Sequence, residues 1–268
     1  MEILNSKARP PAPGRGVAAF VIFAGLAMAF ADEGSNAIFA RRAQAAFQHA
    51  QQHYQSNTND AVAAWQFARA CFGLNSFVTN LAGRAELAGQ GIAACRQSLA
   101  LASNSAPGHY YLAIELGQLA DTKRNLTAFK MVREIEREFK TADDLDEHLD
   151  YAGSARCLGL LYRDAPGWPM SIGSRRKARD WLEQAVKLAP DYPENHLAQI
   201  ESYWQWKDRE AASNAWQQLD VLWPVARTNF TGEAWERNWR DWTTRRDALQ
   251  DKLSDQSPSG KSSNNPRN

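Results

Sequence analysis

Three groups of residues have the types and spacings that can do chemistry. His49 and His53 stand four apart on a stretch that reads as helix, which sets two imidazoles on one face where they can share a metal ion. The metallohydrolase version of that pattern needs a glutamate between the histidines and a third ligand beyond them. Ala50, Gln51 and Gln52 fill the gap here and no third ligand follows nearby, so the pair reads as surface histidines. Asp143, Asp144, Asp146, Glu147 and Asp150 can surround a cation, but their spacing is not that of a calcium loop and the central glycine is missing, so they read as a solvated helix start. Ser171 and Ser174 lie in a glycine-containing stretch that has neither a nucleophile elbow nor a phosphate-cradling glycine run. The sequence therefore predicts no catalytic residue, cofactor site or metal site.

Cysteine chemistry depends on compartment. Lys7, Arg9 and Arg15 precede an apolar run from Val17 to Ala31, which closes on Ala29-Phe30-Ala31, an A-x-A cleavage pattern followed by Asp32 and Glu33. The run is short for a membrane span, which needs about 20 residues. Residues 1–31 are thus expected to be a signal peptide, with an uncleaved anchor as the alternative. The product is expected to be exported, periplasmic and without a stable span after cleavage. In an oxidising compartment Cys71 and Cys95 form a plausible disulfide with Cys157 left over; the other reading is three small buried hydrophobes. A formal charge of +1 excludes a strongly basic nucleic-acid binder.

The elements that carry these residues are helical. Ala178, Leu182, Ala185 and Pro190 recur 34 residues later as Ala212, Trp216, Leu219 and Pro224. That is the period of a helix-turn-helix solenoid. The small residue lets two antiparallel helices approach, the large one four positions on fills the groove beside it, and the proline stops the helix. Residues 35–56 read as a helix, Asn57 to Asp60 as the cap of the next (61–74), and Gly91 to Ala102 as its partner. Pro107 opens a helix at 107–120, Ala128, Val132 and Ile135 mark its partner, and 151–162 forms another first helix. No stretch alternates with period two for long enough to make a sheet. Trp235, Trp239 and Trp242 form one stripe on a last helix expected to cap the stack. The repeat domain is predicted over 35–253. Residues 254–268, rich in Ser, Asn and Pro, are predicted to be a disordered tail.

Leu158-Gly159-x2-Tyr162, Ala178-x3-Leu182-x2-Ala185-x4-Pro190 and the later set Tyr203, Ala212, Trp216, Leu219 and Pro224 resemble the tetratricopeptide repeat (TPR) superfamily. The likeness covers about 60–224 and is strongest over 151–224. It implies an all-α TPR-like helix-turn-helix solenoid with insertions, acting as a protein-interaction scaffold. The inner surface of such a solenoid would carry Tyr110, Tyr111, Arg156, Arg163, Glu201, Trp204 and Gln205 toward another protein or peptide. The Pro/Gly-rich insertion from Ala165 to Lys177 also resembles the exported T-component of TRAP-type solute transporters, although no lipobox cysteine is present. That likeness would make the partner a periplasmic solute-binding protein. The insertion places Trp168 between two prolines. It is expected to plug the gap between helices, because tryptophan burial is favourable; otherwise it is a second partner-binding loop. A helical protein with a small-molecule pocket beneath that loop is the remaining alternative.

Overall fold

The computed structural model describes residues 33–123 and 126–254, so the predicted signal peptide and most of the predicted tail fall outside the described residues. Among the described residues ten α-helices follow one another: α1 Glu33–Ser56, α2 Ala61–Asn75, α3 Leu81–Leu101, α4 Ala106–Thr122, α5 Leu126–Leu145, α6 Gly153–Asp164, α7 Arg175–Leu188, α8 Pro193–Gln205, α9 Arg209–Asn229 and α10 Glu236–Ser254. A 3-10 turn, Glu233–Trp235, precedes α10. None of the described helices is long and apolar enough to cross a membrane.

The helix starts follow local chemistry. Asp60, Asn80, Ser105 and Ser174 each accept a backbone N–H of the first turn with the side chain, at 2.7, 2.7, 3.2 and 3.3 Å. These bonds satisfy donors that a helix leaves unpaired at its N-terminus. Pro107 sits in the first turn of α4, as its fixed φ favours. Pairing then follows the repeat: α2 with α3, α4 with α5, α6 with α7 and α8 with α9. At the α6–α7 crossing the expected small-residue contact is realised. Ala178, Leu182 and Ala185 are fully buried, and a Cβ on Gly159 would lie 2.6 Å from Leu182 Cγ. Only glycine lets these backbones approach so closely.

Two features depart from the expected register. Pro190 follows the end of α7, but Pro224 lies inside α9, which runs on to Asn229. The proline is exposed, and the turn beyond it buries Ala226 and Phe230 against Trp239 and Trp242, so tertiary packing carries the helix past its missing backbone bond. The second departure is at 150–152, read as helix from Tyr151. There Asp150, Tyr151 and Ala152 take φ values of 51°, 56° and 59°, a left-handed turn of three non-glycine residues that costs roughly 1–2 kcal/mol each. Asp150 accepts from Tyr110 Oη at 2.6 Å and from Arg156 Nη2 at 3.1 Å. The Tyr151 ring stacks on Tyr192 with centroids 4.4 Å apart. These contacts hold the turn, and α6 begins only at Gly153.

The tryptophan stripe caps the stack as expected. Trp239 and Trp242 are buried and Trp235 packs against their cluster. The same segment also reaches the opposite end of the solenoid. Arg42 of α1 pairs with Glu233 at 2.8 Å and Glu236 at 2.7 Å, and the Arg237 guanidinium lies 4.6 Å from the Phe77 ring in the α2–α3 turn.

Candidate partner-binding surface

The residues expected on the inner face divide into three groups. Tyr110, Tyr111 and Arg156 belong to the interior. Tyr110 is 2 % exposed with its hydroxyl on Asp150, and Tyr111 stacks parallel to Trp65 with centroids 5.9 Å apart. Arg156 donates to Asn195 Oδ1 at 2.8 Å and to Asp150. Asn195 in turn donates to the carbonyls of Tyr151 (3.0 Å) and Ala185 (2.9 Å). Burial pulls the Arg156 guanidinium down, but Tyr110 and Asp150 outweigh it and the net shift is upward. Burial, and then Asp150, push the Tyr110 phenol well above its usual range. These side chains fasten one repeat to the next and do not reach solvent, which corrects their expected place on an open inner face.

Glu201 is engaged by the chain's own cap. Arg245 of α10 spreads its guanidinium over Glu201 (2.8 and 3.0 Å), Glu194 (2.8 Å) and Asp241 (3.0 Å), while Trp242 Nε1 donates to Glu194 at 2.9 Å. Burial raises the Glu194 carboxyl, but Arg245 and Arg156 outweigh it and hold it below the usual range. Asp241 is pushed up by burial and by its acidic neighbours despite Arg245. Sequence reasoning missed Arg245. Its position on a charged face of a Trp-striped helix gives no sign that two glutamates about one and a half repeats back converge on it.

The third group faces outward. Arg163 is largely covered, its side chain 14 % exposed, and it forks onto Asp164 at 2.7 and 2.8 Å and reaches Ser202 Oγ at 3.2 Å. Trp204 is half-buried beneath the Arg209 guanidinium, which lies 3.5 Å from the ring centroid, and Gln205 beside it is exposed. Trp168 is 88 % exposed. It does not plug the helix gap, because the loop neck closes behind it: Gly173 N donates to Pro166 O at 2.9 Å and Ser174 N to Tyr162 O at 2.9 Å. Ile172, not Trp168, packs inward.

His49 and His53 lie exposed on α1. Cys71, Cys95 and Cys157 are buried thiols. Cys71 of α2 and Cys95 of α3 share one core cluster, where burial pushes both thiols up, Cys95 well above its usual range. A surface cleft of about 340 Å³ lies between α9 and α10, lined by Arg227, Trp239, Arg240, Thr243, Thr244 and Asp247, and so not beneath the Trp168 loop.

Known proteins share this architecture. The TPR protein TTC0263 of Thermus thermophilus superposes with a TM-score of 0.60 at 18 % identity, covering 81 % of this chain and 95 % of that one. The chain has a TPR-like solenoid fold. MamA is similar at a TM-score of 0.47 and 14 % identity, over 74 % of this chain and 98 % of MamA. Yeast Tom70 is similar at 0.30 and 11 %, over 85 % of this chain and 62 % of Tom70. The family model of regulator of microtubule dynamics protein 1-3 matches residues 31–153. No curated protein matches the sequence.

Proposed function

We propose that the protein is an exported, non-catalytic interaction scaffold of the periplasm, and that the edge formed by Arg163, Trp204 and Gln205 receives another protein or a peptide. One observation carries this reading. At the C-terminal end of α8 the half-open Trp204 lies under Arg209 of α9 beside exposed Gln205, and Arg163 at the end of α6 reaches Ser202 of the same helix. Anchors of that composition dominate protein interfaces. The fold supports the reading because stacked helix pairs make an extended, rigid surface. These residues lie outside 31–153, so the likeness to the microtubule-regulator family does not bear on this surface.

The test is capture of a partner by cross-linking in periplasmic extract, with mass spectrometric identification, followed by its affinity for variants. Trp204→Ala with Arg163→Ala should weaken the identified partner about 30-fold or more, since interface anchors contribute about 2 kcal/mol or more, and should leave helical content intact. A folded double variant that binds normally refutes the surface. One that unfolds assigns both side chains to the core.

A further inference from the structure

The loop between α6 and α7 presents an apolar tip that the fold leaves open. Trp168 is 88 % exposed and Met170 73 %. Backbone bonds hold the tip in one shape: Met170 N and Ser171 N donate to Gly167 O at 3.1 and 3.3 Å, and Gly173 N closes the neck on Pro166 O. A Cβ on Gly173 would stand 1.9 Å from Ala165 O, so the neck admits only glycine.

Between Asp164 and Asp180 the charge along the chain has one sign. Residues 165–179 contain Arg175, Arg176, Lys177 and Arg179 and no acid. Arg175, Arg176 and Lys177 are exposed. The α8–α9 turn joins the same edge, because the Arg175 guanidinium lies 5.3 Å from the Trp206 ring and Arg179 pairs with Asp208 at 2.5 Å. That turn adds exposed Lys207. Asp180, Asp208 and Glu183 offset part of this charge through Arg176, Arg175 and Arg179.

We infer that this edge docks on an anionic bilayer, with Trp168 and Met170 entering the headgroup region and Arg175, Arg176, Lys177 and Lys207 facing lipid phosphates. Tryptophan prefers the membrane–water interface, where its ring is apolar and its N–H stays wet. Basic residues beside it are attracted by acidic lipid. A protein pocket is the weaker fit. A standard interface covers about 800 Å² per partner around an apolar centre, whereas the apolar surface here is two side chains on a loop that leads into a basic helix start.

The test uses the full chain with vesicles of equal parts phosphatidylcholine and phosphatidylglycerol, the phosphatidylcholine carrying brominated acyl chains that quench tryptophan. Every tryptophan lies at or after Trp65, so insertion of the apolar segment 17–31 does not itself give the signal. Quenching is expected on these vesicles, not on phosphatidylcholine alone, and should reverse in high salt. Trp168→Phe should lose the quenching and keep its helical content and melting temperature. Arg176→Gln with Lys177→Gln should weaken partitioning about tenfold. The inference is overturned by no quenching, by equal quenching on neutral vesicles, by equal quenching in Trp168→Phe, or by a Trp168→Phe chain that melts early. It is also overturned if the tip cross-links to a protein while vesicles never quench. The Trp204/Arg163 result is independent, because neither residue lies at the tip.

Discussion

Replacing Arg245 with Leu tests the energetics of the cap most directly. The guanidinium is 13 % exposed and is shared by Glu194, Glu201 and Asp241, whose side chains are 23 %, 31 % and 40 % exposed. Removing one partner of a buried pair costs about 3–5 kcal/mol, because the other charge stays desolvated. The half-open carboxylates can draw water, so the lower end applies, about 3 kcal/mol. For an ordered domain of this size that is a fall in melting temperature of roughly 6–12 °C. The assay is thermal and urea unfolding followed by circular dichroism, with the double variant Arg245→Leu/Glu201→Gln alongside. The double variant should recover part of the loss, since one of the stranded charges is gone. Acidity supplies an independent check. Glu194 is held below the usual carboxylate range, so its contribution is full above the unfolded-state value and is lost as pH falls through the lowered folded-state value. The gap between the native chain and Arg245→Leu should therefore close on acidification. A loss under about 1 kcal/mol, or a gap independent of pH, would refute the reasoning and class the cluster with surface pairs.

Three further outcomes are expected. Gly159→Ala should destabilise by about 1–3 kcal/mol through its clash with Leu182, read by urea unfolding; a neutral result would mean that α6 and α7 separate freely. Burial and the neighbouring Asp144 and Glu147 push the Asp143 carboxyl up to about 6, so the folded chain holds its proton longer and loses stability as pH rises from about 4 through 6. Asp143→Asn should then stabilise by about 1 kcal/mol at pH 8, after discounting for its partial exposure, and by nothing at pH 4; equal melting shifts at both pH values would contradict this. Thiol counting on the unfolded, unreduced chain should find Cys71, Cys95 and Cys157 all free, as the buried thiols of the structure require, and a Cys71–Cys95 cross-link would overturn this.

What the sequence disclosed and what it concealed follow from the range of each interaction. Caps such as Asp60 and Ser105 act within three residues, so residue type alone reveals them. The small-large pattern of α7 and α9 depends on facing helices of the same hairpin, and its period carries the fold. Arg156 is different. On helix periodicity it occupies an inner-face position, yet its main partner, Asn195, lies 39 residues away, and only the superhelical stacking decides that the pair is buried. Trp168 misled in the opposite direction. The affinity of a ring for the interior is a general tendency, but the neck at Gly167 and Gly173 fixes the loop so that the ring has no path back. Pro224 would stop a solitary helix, and here distant tryptophans make continuing more favourable than stopping.

The salt bridges from Arg42 to Glu233 and Glu236 change the statistical mechanics of the array. A repeat protein is ordinarily a linear chain of coupled units in which each repeat senses only its neighbours and the terminal ones fray first. Here the first helix touches the segment that leads into the last, so the chain of couplings has periodic boundaries. These pairs are solvent-exposed and therefore weak and screened by electrolyte. Dilute buffer thus ties the fraying of α1 to that of α10 more tightly, while concentrated salt weakens the closure and leaves the contact of Arg237 with Phe77 to hold it.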